Sequence, residues 1–524
     1  MDLKPNAGNL PHEVLVEILR HAIPSRTQKD RSRIPHTTLP GRWAPLPLTR
    51  VCQHWRNVIL SSSTLWSTLA LAIVSTTRAH DVCDAQKALS IWLKHSGNVP
   101  LMLTIDFYKM DESTLHDAWD ELSAAGVEGF ISRCRKLEII THSRRLPLPE
   151  VFYQQAGTAR DLEELVLRVR APSRPEESEC YAYIARVLGQ LRTLEWSASG
   201  NLPYAVLSRN LKPADSLAIP YHGGLRTLKL RCSVNSSALV LLLSRFPSLE
   251  IAELVLRAHS ESQIEDVERN LSQSSRTICM SHLRSLYIRF DFYPSHDPDQ
   301  APVESYGPFQ HVSLPSIHSL NLDLSCGLAS RLWHAKAIIR GIANSIRRAD
   351  ARLQRLYLFI GMEAPGGHVR DLLQALPSSP RVELKSFSLP YIIDVLDALT
   401  YRAEESRPTY NVIFPELRKL IVDVLNFGRT ASDPTDVANS LTNLAVSRWD
   451  VPVARACNAS ATEPEANENS AGALRPGWHG VERLQHILIK QPRSLQSIKE
   501  KMLEDSACRR IIEEGFELEE FWLS

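Results

Sequence analysis

No stretch of this 524-residue chain approaches the ~18 consecutive apolar residues that a membrane-crossing helix requires. A charge excess is lacking too: the formal net charge is +1, so bulk electrostatics favours neither nucleic acid nor a membrane surface as partner. Closely spaced cysteines are missing. The nine present (Cys52, Cys83, Cys134, Cys180, Cys232, Cys279, Cys326, Cys457 and Cys508) are so dispersed that no two could form a Cys-x-x-Cys zinc or redox motif. They fit reduced thiols in packed positions. The first residues are polar, with Pro5, Asn6 and Asn9, and lack the apolar core of a signal peptide. A cytoplasmic or nuclear location is therefore expected, and the sequons at Asn235, Asn270 and Asn458 are read as coincidental.

Catalytic signatures are also absent. There is no Gly-x-x-x-x-Gly-Lys phosphate loop, no Gly-x-Gly-x-x-Gly, no Gly-x-Ser-x-Gly elbow, no kinase set and no His-Glu-x-x-His. His12, His21 and His54 crowd one region, but His12 and His21 fall off a common helical face and read as surface groups rather than metal ligands. Glu163/Glu164 and Glu519/Glu520 are adjacent pairs, which a strand points to opposite faces, so neither is an acid/base pair. Neither enzymatic activity nor a cofactor is expected.

What remains is an ordinary globular balance, 44% hydrophobic and 23% charged. Near the N-terminus, Leu10-Pro11-His12-Glu13-Val14-Leu15-Val16-Glu17-Ile18-Leu19-Arg20 reads as a helix. Pro11 suits a first helical position, and Val14, Leu15, Ile18, Leu19 and Ala22 share a face. After Pro45-Leu46-Pro47, the residues Leu48, Val51, Cys52, Trp55, Val58 and Ile59 form a second helical stripe. Ser61-Ser62-Ser63 is a turn and cap signal before a third short segment, Thr64-Leu65-Trp66. Two short amphipathic helices and a Leu-Trp anchor need a partner or the rest of the chain to cover them. The ordered set Leu-Pro-x-Glu-x-Leu-x-Glu-Ile, Val-Cys-x-x-Trp-Arg, Leu-Trp resembles an F-box, spanning residues 8–72 with a polar insert at 25–44 like those common in mushroom-forming fungi. The resemblance implies a three-helix motif that docks on the Skp adaptor of a cullin–RING ubiquitin ligase. Leu10, Pro11, Val14, Ile18, Leu48, Val51, Cys52, Trp55, Leu65 and Trp66 would make that contact.

Residues 73–136 read as a linking helix and strand unit, with a helix over Asp84–His95, a strand over Val99–Phe107 and a helix over Ser113–Cys134. From residue 137 an apolar-x-x-apolar-x-apolar phrase recurs. It starts at Leu137, Leu162, Leu191, Leu225, Ile251, Leu283, Ile317, Leu353, Leu384 and Leu417, with a late copy at Leu484. Helix-like stretches such as Ile338–Ala349 and Ile392–Arg402 lie between copies. The whole resembles a degenerate leucine-rich repeat array over residues 137–524, each unit covering its neighbour's apolar face. The expected fold is thus α/β: an N-terminal three-helix F-box followed by a leucine-rich-repeat-like solenoid of parallel strands and helices. Residues 171–179, 293–311 and 456–477 read as loops, the last apolar-poor and disordered. Ile511–Leu523 reads as the cap of the last repeat.

The position after each phrase should face outward, and there the chain places Arg168, Ser197, Arg231, Arg257 and Arg289, then Asp323, Phe359, Pro390 and Asp423. With Lys229 and Tyr287 beside them, Arg168, Arg231, Arg257 and Arg289 would form a basic column that holds an acidic or phosphorylated target segment. The competing expectation is a ladder neutralised by Glu164, Glu195 and Glu253. Two functions follow: the substrate-recognition subunit of an SCF-type cullin–RING ubiquitin ligase, or a non-catalytic repeat scaffold whose F-box-like segment is only its N-terminal cap. Neither involves nucleic acid or a membrane, and the target protein is unnamed by the sequence.

Overall fold

The computed structural model describes residues 10–22, 45–74, 80–108, 110, 112–124, 126–141, 161–169, 190–201, 223–234, 243, 245–257, 277–291, 308–326, 332–360, 373–386, 389–400, 414, 416–424, 434–449, 483–492 and 498–523. The architecture is mixed α/β, with parallel strands alternating with helices in two compact units: Met1–Val234 with Leu241–Val255, and Asn235–Val240 with Leu256–Ser524. The predicted insert at 25–44 and the loops 171–179 and 456–477 lie outside the described residues.

The first unit opens with α1 (His12–Ala22), a 3-10 helix Leu46–Arg50, α2 (Gln53–Ser61) and a second 3-10 helix Ser63–Trp66. The expected stripe from Leu48 to Ile59 is therefore broken. Two prolines, Pro45 and Pro47, start the 3-10 turn, and Cys52 is extended and caps α2, its Sγ accepting from Trp55 N at 3.5 Å. The third segment is a single 3-10 turn rather than an α-helix. Then follow β1 (Thr68–Val74), α3 (His80–Ser96), β2 (Leu101–Tyr108), α4 (Glu112–Ala124), α5 (Val127–Ile131), β3 (Cys134–Thr141), β4 (Glu164–Val169), β5 (Thr193–Asn201), β6 (Thr227–Val234) and β7 (Ile251–Arg257), the last within this unit up to Val255. Gly97, at φ +54, terminates α3 where a side chain would be strained. The strands neighbour one another in chain order. The array thus begins at Thr68, inside the segment assigned to the F-box, and includes the supposed linker unit.

The second unit contains a small parallel pair, β8 (Ile278–Cys279) with β10 (Val312–Ser313), and a larger sheet. Its strands are β9 (Ser285–Asp291), β11 (Ser319–Cys326), β12 (Arg355–Ile360), β13 (Arg381–Ser386), β14 (Lys419–Val424), β15 (His486–Pro492) and β16 (Glu517–Leu523), all parallel and neighbours in that order. Helices Leu332–Arg348, Leu389–Leu399, Pro434–Trp449, Ile498–Glu504 and Ser506–Glu513 make crossovers, as parallel pairing requires. Ile511–Leu523 spans the end of one helix and β16, the last strand of the sheet.

Each strand forms because its alternate residues can be buried in one layer. Leu165 and Leu167 on β4 align with Leu194 and Trp196 on β5, and these with Leu228 and Leu230 on β6, all buried. A repeated main-chain clamp fixes the register. The carbonyl of Glu163 accepts from Arg192 N and Thr193 N, Arg192 from the next two amides, Arg226 from Glu250 N and Ile251 N, and Pro380 from Arg418 N and Lys419 N. The clamp corrects three phrase frames. Leu137 pairs with Leu165, so the first phrase is Cys134/Leu137/Ile139, starting on a buried cysteine. Glu250 and Ile251 occupy the clamp positions of Arg226 and Thr227, so the fifth is Leu249/Ala252/Leu254, and Ile251 lies outside the core at 38% exposure. Val382 pairs with Leu356 and Leu420, so the ninth is Ser379/Val382/Leu384, with a buried serine in place of leucine.

One buried cation holds the second unit's helix layer. Arg448, fully buried on helix Pro434–Trp449, donates to the Leu399 carbonyl from Nε (3.1 Å) and Nη2 (2.9 Å), and to the Phe414 carbonyl at 3.4 Å. Leu399 ends its helix, so the guanidinium satisfies an orphan carbonyl at the negative end of the helix dipole. Burial lowers the Arg448 pKa to about 10.

Candidate functional site

Two surfaces bear on function: the N-terminal helical segment and the outward rows of the strands. On α1, residues four apart stack along one side. Leu15 and Leu19 are buried, while the adjacent stripe faces solvent, with Val14 46% and Ile18 42% exposed. Val51, between the 3-10 turn and α2, is 57% exposed. Pro11 is exposed, and Leu10, Leu48, Cys52 and Trp55 are half-buried. Histidines join the pieces: His54 Nε2 lies 3.1 Å from the Leu10 carbonyl, and His12 Nε2 lies 3.2 Å from Ser62 Oγ. Because Ser62 Oγ already donates to the Val58 carbonyl at 2.6 Å, His12 is the donor in that pair. Structural bonds thus occupy His12 and His54, and no metal-capable group of His, Cys, Asp or Glu exists among the described residues.

Leu65 and Trp66 stand apart from this surface. Both are buried, Trp66 completely. Its Nε1 donates to the Ile59 carbonyl at 2.8 Å, its ring meets Trp92 edge-on with centroids 4.9 Å apart, and it stacks on His95 at 4.8 Å. The placement of Leu65 and Trp66 at a docking surface is corrected: they anchor the segment to α3. The stretch is too short to enclose them itself, and α3 supplies the missing apolar cover.

The outward rows of the first unit carry the basic residues expected from sequence, already paired. Arg168 and Arg231 occupy one row, separated by Ser197. Arg168 lies between two buried carboxylates, 2.8 Å from Glu195 and 3.7 Å from Glu138. Lys229 meets Glu253 at 2.6 Å, and Arg231 reaches the same carboxylate at 3.9 Å. The corrected frame of β7 puts Val255, not Arg257, level with Arg231. In the second unit, Arg289 is exposed on β9 and its neighbour in register is Asp323. Tyr287 donates to Asp323 Oδ2 at 2.8 Å, and burial foremost, then this carboxylate, raises its pKa. Within the first unit Ser197 thus breaks the expected basic column between Arg168 and Arg231, and within the second Asp323 stands beside Arg289. Glu195 and Glu253 pair with Arg168, Lys229 and Arg231, while Glu164 pairs with Lys136 instead.

A different concentration of charge lies on β12–β15, of which the sequence pattern marks only Phe359 and Asp423 as outward. Glu383 is buried on the outward face, 2.7 Å from Arg355, 3.9 Å from Arg381 and 3.6 Å from Lys490. Asp423 meets Lys385 at 3.6 Å. Burial pushes its carboxyl pKa up, and Lys385 and Lys490 oppose that shift. Lys385 also lies over the Phe359 ring, 6.0 Å from its centroid. The misplaced ninth phrase hid this group, because it removed Arg381 from the outward set and put Pro390 where Lys385 stands.

No protein-family model matches the chain, and no curated protein matches it.

Proposed function

We propose that this chain is a substrate-receptor subunit of an SCF-type cullin–RING ubiquitin ligase. The F-box-like segment docks on the Skp adaptor through Leu10, Pro11, Val14, Ile18, Leu48, Val51, Cys52 and Trp55, and the outward face of the strand array holds a target protein. In this reading the chain makes no bond itself; it raises the effective concentration of the target at the ubiquitin-transfer machinery and orients it. One observation carries the reading. Val14, Ile18 and Val51 remain 42–57% exposed while Leu15, Leu19, Val58, Ile59, Leu65 and Trp66 on the same segments are buried. A segment that served only to close the array would bury its apolar residues against it, whereas one that also meets a partner keeps a second apolar face free. A repeat scaffold capped by these segments is the second reading, favoured by the burial of Leu65 and Trp66 against α3. Among the described residues no helix is long and apolar enough to cross a membrane.

Co-purification separates the two readings. The full chain, co-expressed with the Skp adaptor and a cullin N-terminal domain, is expected to elute as one complex on size exclusion. Elution of the folded chain apart from the adaptor at micromolar concentration would sink the receptor reading in favour of the scaffold.

A further inference from the structure

The sheet of the second unit ends on β16. This strand pairs with β15 on one side, and among the described residues no strand takes up its other side. Glu517 N donates to the Gln485 carbonyl, so residues 517, 519, 521 and 523 turn their amides and carbonyls toward β15. The alternate residues Leu518, Glu520 and Trp522 turn theirs off the edge of the sheet. An amide or carbonyl in that position is satisfied by water or by an added strand. Native edges are commonly blunted by brevity, a bulge or proline. β16 has none of these: it is seven residues long, keeps one unbroken register with β15 from Glu517 to Leu523, and contains no proline. Its main chain is a template for one more strand.

The charge of this edge indicates what fits it. Glu517 and Glu519 stand on the outward face with side chains 71% and 61% exposed, while Leu518 between them is buried. From Gly515 onward the chain carries Glu517, Glu519 and Glu520 and no lysine, arginine or histidine. Inside the edge the sign is opposite: Arg355, Arg381, Lys419 and His486 stand level on β12, β13, β14 and β15, and Glu517 is next in that row. The nearest basic group is His486, 3.5 Å from Glu517 and 3.2 Å from Glu519, with a side chain only 12% exposed. One imidazole, even protonated, cannot neutralise two carboxylates, so the outermost strand stays acidic. Like charges directly opposite one another on paired strands are destabilising, and opposite charges attract. A second copy of β16 aligned glutamate to glutamate is therefore disfavoured, as is any acidic strand. A strand with lysine or arginine at alternate positions is favoured, because each cation stands level with Glu517 or Glu519 on the same face.

We propose that the open edge of β16 docks a basic extended segment of a partner protein, which joins the sheet as a further strand. Its main chain bonds to Leu518, Glu520 and Trp522, and its lysines or arginines stand beside Glu517 and Glu519. In strand addition the main-chain bonds supply affinity and the alternate side chains supply selectivity. The same glutamates repel a like-charged strand and attract a basic one, so guarding the edge and choosing its partner are one device. The inference involves neither the adaptor face nor the outward faces of the strands, and it holds for a receptor and a scaffold alike.

The test uses the full chain and fluorescence anisotropy at low salt, where exposed charges are least screened. Two labelled peptide libraries alternate a fixed residue with a degenerate mixture of valine, isoleucine and threonine. The fixed residue is lysine in one and glutamate in the other. The lysine library is expected to bind about tenfold tighter, the combined effect of two exposed ion pairs gained and two repulsions avoided. The double change Glu517→Lys, Glu519→Lys should reverse the preference by about the same factor. Methylating the backbone amides of the lysine peptides keeps their charge but blocks strand addition, and should weaken binding by about tenfold or more. Glu520→Pro removes an edge amide that β15 does not use and should weaken the lysine library likewise. Glu517 and Glu519 are exposed, so the charge reversal keeps the test valid if the proline variant folds poorly. Equal binding of the two libraries, or a preference unmoved by the charge reversal, overturns the proposal. So does full binding of the methylated peptides, which would reduce the contact to charge attraction without an added strand. A concentration-dependent dimer on size exclusion that Glu520→Pro turns monomeric also overturns it and assigns the edge to a second copy of this chain.

Discussion

Replacing Val14, Ile18 and Val51 together by serine is the sharpest perturbation of the adaptor face. Full burial of a valine or isoleucine side chain stabilises by ~1.5–3 kcal/mol. Since these residues are 46%, 42% and 57% exposed, roughly half of that gain, about 1 kcal/mol each, is left for a partner to realise. The three together are worth about 3 kcal/mol, or roughly a hundredfold in Kd. The contrasting variant is Trp66→Ala. Trp66 is fully buried, so its truncation should cost about 3–5 kcal/mol of folding stability. Isothermal titration with purified Skp adaptor reads affinity, and thermal unfolding reads stability. The triple variant should lose adaptor affinity with only a modest drop in Tm, and Trp66→Ala should unfold early. If the triple variant binds the adaptor as tightly as the parent chain, the exposed stripe is not a docking surface. If its Tm collapses as that of Trp66→Ala does, the exposure-based bookkeeping is wrong.

The other predictions concern buried charge and half-buried phenols. Arg168→Met leaves Glu138 and Glu195 buried without their shared cation and should cost about 3–5 kcal/mol by denaturant melts; a loss under 1 kcal/mol, the size of an exposed pair, would refute the buried-network reading. For Arg448→Met the effects oppose each other. The Leu399 and Phe414 carbonyls lose their donors at ~1–3 kcal/mol each, while the variant escapes the burial cost that lowers the Arg448 pKa to about 10. The net loss should be smaller than the ~2–6 kcal/mol of the two carbonyls together, and Arg448→Lys, which keeps the charge but reaches fewer carbonyls, should be the worse variant; the reverse order would contradict the assignment. Burial raises the pKa of Tyr287 and Tyr357 above the ordinary 10.0. The native state therefore keeps phenolic protons that the unfolded chain releases, and stability should fall as pH rises above that value. Absorbance titration should show both tyrosines titrating later than the ordinary phenol, with Tyr287→Phe removing one late phenolate; early titration of both would refute the upward shift.

The local pattern by itself determined the class of fold and much of its order. Apolar residues two apart, as in Leu165/Leu167 and Leu228/Leu230, can be buried together only as strands stacked in one layer. The intervals between phrases leave room for the helices that parallel neighbours need. It also marked Val14, Ile18 and Trp55 as an amphipathic set, since helical spacing is a property of the chain alone. The tertiary structure decided what local pattern leaves degenerate. Whether Leu65 and Trp66 face a partner or a neighbour depends on α3 lying beside them, and α3 is outside the motif. Phrase frames were ambiguous wherever leucine gave way to Cys134, Ala252 or Ser379. The inward position needs only a side chain that packs, so the register was set by main-chain clamps from the preceding repeat. A shift of frame reassigns every outward residue on its strand. The array of Arg355, Arg381, Lys419 and His486 exists only once strands from distant parts of the chain are aligned, because charge lies between strands and spacing lies along them.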